Sequence, residues 1–302
     1  MVDYNQYTIL RAHDNILHMD IHAHGLYNGC GKGMAMNKTY VGEGSVVLLS
    51  GGGKIYTDMA ARFVRSEKAL EEIVASPYSR DLVRRILSSG HKAAVEFDFF
   101  LFGVAGYSRV TEAQLVRKRH ASFMIKSGRS DKEQRSYDVV IPRSIEQNVV
   151  KVPVLAELVT DSEGNLVAAR SPLWLEIGAE ELLQMSEAWY ENGVTNGLPE
   201  EELRYLKPQA TEFKGLIGMN AHALLDWFTI RCCRNAQSEI RDMAYKMLKL
   251  CKEAAPDLFA DAGPNCKMLG YCPENSQQNA RCKGHIVTKD EALRVLAAHR
   301  VR

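Results

Sequence analysis

Residues 117 to 129 read Arg-Lys-Arg-His-Ala-Ser-Phe-Met-Ile-Lys-Ser-Gly-Arg, so guanidinium, ammonium, imidazole and hydroxyl groups crowd into one short stretch. Such groups suit phosphate oxygens, which accept paired N–H···O contacts from a guanidinium fork. A second cation stands far downstream. Asn220, Leu224, Phe228 and Arg231 share one stripe of a predicted helix, which places an arginine on an otherwise apolar face. Two separated cationic elements of this kind predict a nucleotide pocket assembled by folding. An arginine on such a stripe needs an anionic partner, and a core carboxylate such as Glu239 or Asp226 would serve as well as a ligand.

The elements that must position these groups follow from local patterning. Residues 1–44 form a mixed extension that ends in turn-prone sequence, and the main domain spans 45–260, opening with a strand from Ser45 to Ser50. Residues 57–89 carry helical spacing, with Ala60, Phe63, Ala69, Ile73, Leu82 and Ile86 as core positions and Gly90 as terminator. Val95 to Phe102 predicts a buried strand. Thr111 and Gln114 have the spacing of a capping box, starting a helix with Gln114 and Arg117 on one face. From Lys126 to Ser136 the chain reads as a flexible polar loop, the kind that closes over ligands. Tyr137 to Ile141 returns to strand, and Val150 to Ala169 reads as a strand pair around the turn 161–165. Helices follow at 178–192 and 199–206, and Ser238 to Cys251 is a plain amphipathic core helix whose methionines need no functional role.

Composition excludes several classes. A chain of 302 residues, 46% hydrophobic and with net charge +1, can bury one large core or two modest ones. A general nucleic-acid binder needs a dominant basic surface, so any anion recognition here is local. The N-terminus lacks a basic segment followed by an apolar run, and no stretch is long and apolar enough for a bilayer, so the expectation is a cytoplasmic protein without a membrane partner. Seven cysteines are an odd number, which argues for reduced thiols over a disulfide framework. In the tail, residues 261–302, Cys266, Cys272, Cys282 and His285 could wrap a tetrahedral zinc. Their spacing matches no common zinc module, and the reading preferred here is loose thiols with no metal.

The motifs together carry a resemblance. Arg117-Lys118-Arg119, seven residues, then Ser127-Gly128-Arg129 resembles the signature of flavin-dependent thymidylate synthases, which runs Arg-His-Arg, seven residues, Ser, any residue, Arg. Gly90-His91 followed by Glu96, Ser108-Arg109 and Gln114 to Arg117 follow that family's order. So do Arg204 ahead of Pro208 and Thr211, and Asn220 leading into Ile230-Arg231 and Ala236 to Arg241. The similarity covers roughly residues 45–260.

What the resemblance implies is an α/β (α+β) fold, a mixed sheet flanked by helices, assembled as a homotetramer with active sites built from more than one subunit. It implies a methyltransferase that uses FAD and methylates C5 of a uridine monophosphate, with methylenetetrahydrofolate as carbon donor and NADPH as reductant. On this resemblance Gln114, Arg117, Ser127, Gly128, Arg129 and Arg204 form the nucleotide clamp, and Arg231 meets the pyrimidine and stabilises charge developing on the ring. His91, Arg117, Lys118, Arg119, Asn220, His222 and Asp226 fall on cofactor positions, although His222 and Asp226 differ in type from the family's usual residues. The flavin does the redox work while the protein orients and polarises, so Ser127 is a binding residue.

Departures from the pattern bear on the substrate. Lys118 replaces the central histidine, Met124-Ile125 replaces Asn-Glu, and Ser130 replaces a tyrosine. Losing a carboxylate where sugar and flavin meet makes UMP as credible as dUMP. The chain resembles a divergent branch like the UMP methylases of nucleoside-antibiotic pathways. A dUMP-specific synthase or a hydroxymethylase of the same fold is the alternative. Two readings of other classes stay open. The run His18-Met-Asp20-Ile-His22-Ala-His24 resembles the first-strand metal ligands of amidohydrolases. A non-catalytic nucleotide or flavin binder is the third.

Overall fold

The apolar run that opens at Ser45 becomes an outer strand of a four-stranded antiparallel sheet in the computed structural model of the protein. The structure describes residues 36–127, 137–146, 148–160, 166–274, 282 and 286–300, and of residues 153–160, 166–175 and 298–300 only the backbone. All lie within the compact unit Met34–Arg302. The strands are β1 (Lys38–Tyr40), β2 (Ser45–Ser50), β3 (Phe99–Ser108), β4 (Ser122–Ile125), β5 (Val139–Ile141), β6 (Val149–Thr160), β7 (Leu166–Gly178) and β8 (Glu212–Asn220). The main sheet runs β2-β3-β8-β4, β1 pairs in parallel with β5, and β6 pairs with β7 as a two-stranded ribbon. The helices are α1 (Thr57–Arg65), α2 (Leu70–Val74), α3 (Arg80–Ser88), α4 (Arg109–Leu115), α5 (Arg143–Glu146), α6 (Ala179–Thr195), α7 (Glu200–Leu203), α8 (Ala221–Arg231), α9 (Ser238–Ala254), α10 (Pro256–Phe259), α11 (Asn265–Leu269) and α12 (Lys289–Arg300). The result is a mixed α/β architecture with sheets flanked by helices. Among the described residues no helix is long and apolar enough to cross a membrane.

The core forms where α8 and α9 cover the main sheet. Phe100, Phe102 and Tyr107 of β3, Ile217 and Met219 of β8, Leu224 and Phe228 of α8, and Ile240, Met243 and Met247 of α9 are all buried in one cluster. Removing such apolar surface from water is worth about 1.5–3 kcal/mol per large side chain. A smaller cluster joins Tyr137, Val139 and Ile141 to Leu183, Tyr190 and Leu203. Two glycines permit close approach. Gly106 adopts φ +75° where the β3–β8 register shifts, and its N–H donates to Glu212 at 2.8 Å. A Cβ on Gly215 would stand 2.6 Å from the Met124 carbonyl, so only glycine lets β4 lie in register against β8.

Several elements differ from the sequence expectation. The region 57–89 is three helices, because Ser66 turns extended (ψ 137°) and Ser79 caps a new helix through a bond from Leu82 N–H. Of the expected core positions Ile73 and Ile86 are buried and Ala60 and Leu82 half-buried, while Phe63 and Ala69 are exposed. Val95 to Phe97 lies in a 3₁₀ turn, Lys92–Phe97, and the strand begins only at Phe99. The cause is Asp98, whose carboxylate accepts from Tyr56 N–H (2.7 Å), Thr57 N–H (3.1 Å) and the Thr57 hydroxyl (2.5 Å), capping α1 from afar. The Thr111–Gln114 capping box does not form. Helix α4 starts at Arg109 with Ser108 as its cap residue, and the buried Thr111 hydroxyl has no partner among the described residues. By contrast β2, β5, the β6–β7 pair, α6 and α9 stand close to where patterning places them.

Candidate active site

Helices α4 and α8 end side by side, and their last turns hold the first group of predicted residues. Arg231 donates from Nη2 to the Gln114 carbonyl at 3.2 Å and from Nη1 to Gln114 Oε1 at 3.4 Å. Gln114 Nε2 in turn donates to the Val110 carbonyl at 3.3 Å, which aims Oε1 at the guanidinium. Both carboxylates that could neutralise Arg231 are committed elsewhere. Glu239, 2% exposed, accepts from Ser108 N–H and Oγ–H at 2.6 Å each, and Asp226 pairs with Lys118. Among the described residues Arg231 therefore forms no ion pair. Burial, with the nearby charge of Arg117 second, lowers its pKa from the usual arginine value. A half-buried guanidinium beside a second cation and without a carboxylate is arranged to receive an anion or an electron-rich ligand.

The second group lies where β8 passes into α8. Asn220 caps α8, its Oδ1 accepting from Ala223 N–H at 2.8 Å, so the asparagine fixes the helix start. Two residues on, His222 Nδ1 lies 2.9 Å from Glu96 Oε1, and Asp226 meets Lys118 across from α4. Arg117 and Arg119 are exposed beside this end of α4. His91 is exposed and lines a separate, largely apolar cavity of 670 Å³ with Leu82, Ala94 and Phe97. A dinucleotide's pyrophosphate requires cations. Arg117 and Arg119, neither ion-paired among the described residues, flank Lys118, which is paired to Asp226 of α8, and such a donor set would suit that group.

The third group faces a cavity of 580 Å³ between α4, β8 and the turn after α7. Ser127 and Arg204 both line it, with Arg109, Lys126, Lys207 and Lys214 and the acidic Glu112, Asp138 and Glu212. Arg204 is half-buried and steadied by a bond from Nε to the Glu201 carbonyl (3.2 Å). Lys207 sits 3.8 Å over the Tyr190 ring and 4.9 Å over Tyr137. Lys207 and Lys214 become visible as cationic lining only in the fold. Lys126 lay within the singled-out stretch, whereas a lysine beside Pro208 or within a strand carried no signal. Gly128 and Arg129 lie outside the described residues, as do His18, Asp20, His22, His24, Ser130 and His285.

These groups gather the predicted residues without uniting them. Gln114, Arg117 and Arg231 come together, as do Lys118 and Asp226, but Arg204 and Ser127 open into a different cavity from Arg231.

Residues 53–257 match the family model described as thymidylate synthase complementing protein. That match spans well over half of the chain. The chain belongs to this family. Among curated relatives, the flavin-dependent thymidylate synthase of Nitratidesulfovibrio vulgaris is 35% identical over 195 residues, covering 65% of this chain and 73% of that protein. The counterpart in Geobacter sulfurreducens is 32% identical over 220 residues, covering 72% and 84%. The chain is therefore an enzyme of the methyltransferase type that these synthases represent. Among solved structures, the UMP/dUMP methylase PolB from Streptomyces cacaoi, bound with 5-Br dUMP, superposes with a TM-score of 0.57 at 20% identity, covering 74% of this chain and 96% of that one. The last likeness concerns the fold.

Proposed function

We propose that the protein methylates C5 of a uridine monophosphate, UMP or dUMP, with FAD as cofactor, methylenetetrahydrofolate as carbon donor and NADPH as reductant. The observation that carries the reading is Arg231, half-buried beside Arg117, held by Gln114 and lacking a carboxylate. In this assignment Arg231 faces the pyrimidine and stabilises negative charge as C5 becomes nucleophilic, while Gln114 fixes the guanidinium. Ser127, Gly128, Arg129 and Arg204 bind phosphate and sugar, with Arg117 shared between nucleotide and cofactor. Bound flavin would supply the hydride chemistry; Arg117, Lys118, Arg119, Asn220, His222, Asp226 and His91 would hold and orient it. No protein nucleophile is needed, and the C5 proton leaves to solvent as the carbon unit replaces it.

Because Arg204 and Arg231 line different cavities within one chain, the reading includes a homotetramer whose protomers share active sites. Release of tritium from C5-labelled UMP or dUMP, with donor and reductant present, tests the chemistry, and retention of the label in both nucleotides overturns it. Hybrids test the sharing. Mixing Arg204→Ala with Arg231→Ala chains should restore activity at about a quarter of sites if the two arginines come from different protomers, and at none if from one.

A further inference from the structure

Of the six cysteines among the described residues, five line one cavity of 410 Å³ at the C-terminal end of α8, and Cys251 alone stands elsewhere. The tail cysteines reach it from separate places. Cys266 rides on α11, Cys272 is tied by its N–H to the Val287 carbonyl at 2.9 Å, and the Cys282 carbonyl accepts from Arg234 at 3.3 Å. The fourth member is Cys233, in the turn just after α8, some 30 residues upstream of the others and invisible as a partner in the sequence. Cys232 beside it is fully buried against the core, which separates it from the set.

We infer that Cys233, Cys266, Cys272 and Cys282 form a structural zinc site that fastens the C-terminal tail to the end of α8. An all-sulfur donor set selects a thiophilic ion over magnesium or calcium. Four thiols drawn from distant segments would fill all four tetrahedral positions and leave none for water or substrate, which matches a closed structural site better than a catalytic one. All four line the one cavity at the end of α8. Each thiol would release its proton to solvent as it binds the cation. The resulting net charge of −2 would find Arg234 on the same cavity wall, already bonded to the Cys282 carbonyl. Among the described residues no three metal-type side chains stand at metal-holding distance, so zinc binding requires the four thiols to draw together around the ion. The tail has reason to need this. After α10 its described helices are the five-residue α11, whose Met268 and Leu269 are nearly half exposed, and α12, whose Leu293, Val295 and Leu296 are exposed, leaving little apolar packing to hold it.

The test uses the full-length protein as purified. Elemental analysis should give about one zinc per chain, and zinc-edge X-ray absorption should show four sulfurs at about 2.3 Å. Cys233→Ser or Cys272→Ser should weaken zinc retention against a mild chelator by at least about 100-fold, more than loss of an outer-shell partner costs, while Cys251→Ser keeps it. Protein that is folded, free of zinc and unable to take up zinc or cadmium overturns the proposal. So does a shell of three sulfurs and one nitrogen with zinc retained in Cys233→Ser, or a disulfide among the four thiols. The absorption spectrum of the unmutated protein decides the matter even if every variant unfolds. Zinc present without methylase activity would leave this site standing and the proposed reaction fallen.

Discussion

Replacing Arg231 with methionine separates a ligand-binding arginine from a structural one, because the two roles predict opposite balances of stability and turnover. The folded chain would lose two hydrogen bonds, at 3.2 and 3.4 Å, both to the neutral Gln114. Bonds of that kind contribute about 1 kcal/mol each. The loss is offset, since the charged form of Arg231 is disfavoured in the fold by burial and by Arg117. A base whose folded pKa is lowered destabilises the fold wherever it is charged in both states. Arginine stays charged across any assay range, so the offset does not vary between roughly pH 5 and 9. Net stability should therefore move by no more than about 1 kcal/mol, a melting shift of about 2–4 °C. Turnover should fall by about 10²–10³, equivalent to ~2.7–4 kcal/mol of transition-state stabilisation. Flavin content should remain that of the unmutated enzyme. Thermal unfolding, flavin absorbance and tritium release from C5-labelled nucleotide measure the three quantities on one preparation. A stability loss of about 3 kcal/mol or more, as from a broken buried ion pair, with kcat/KM reduced less than tenfold would refute the assignment. Colourless protein would move Arg231 to the cofactor.

Other perturbations probe Glu239, strand β4 and Cys232. Glu239→Gln should cost about 2–4 kcal/mol in urea denaturation, because a buried carboxylate accepting two 2.6 Å bonds from Ser108 is replaced by a group with one acceptor, and an unchanged midpoint would show that the junction does not depend on it. Met124→Glu should shift the ratio of specificity constants from UMP toward dUMP, since Met124 is 72% exposed on β4, whereas Ile125→Glu should chiefly destabilise because Ile125 packs against the main core. An equal ratio in Met124→Glu would remove this position from sugar selection. Cys232 is pushed up to about 12 by burial, so the unfolded chain ionises it from about pH 9 while the folded chain holds its proton; stability should fall as pH rises past 9, and a Cys232→Ala chain should show a shallower alkaline decline.

Legibility in the sequence followed the range of the forces involved. Helix α9 was readable because Ile240, Met243, Ala244, Met247, Leu248 and Cys251 recur with the helical period, and all six are buried. The strand expected at Val95 failed because Asp98 is held by Thr57, and apolar types alone do not distinguish a 3₁₀ turn from a strand. The capping box failed for the same reason, since Glu239 pins Ser108 from 131 residues away and starts α4 early. At the site, motif order found the residue types, but not which carboxylate each cation would meet. That Glu239 goes to Ser108 and Asp226 to Lys118 is what leaves Arg231 without an ion pair, and this is a tertiary fact. The orientation of β4 is a tertiary fact of the same kind. Alternation exposes Met124 and tucks Ile125 inward, so the carboxylate position of the family motif, occupied here by Ile125, is filled by a side chain that serves the core. On the proposed function, a half-buried Ile125 packed on the core leaves selection for the sugar, if β4 contributes to it, to the neighbouring Met124.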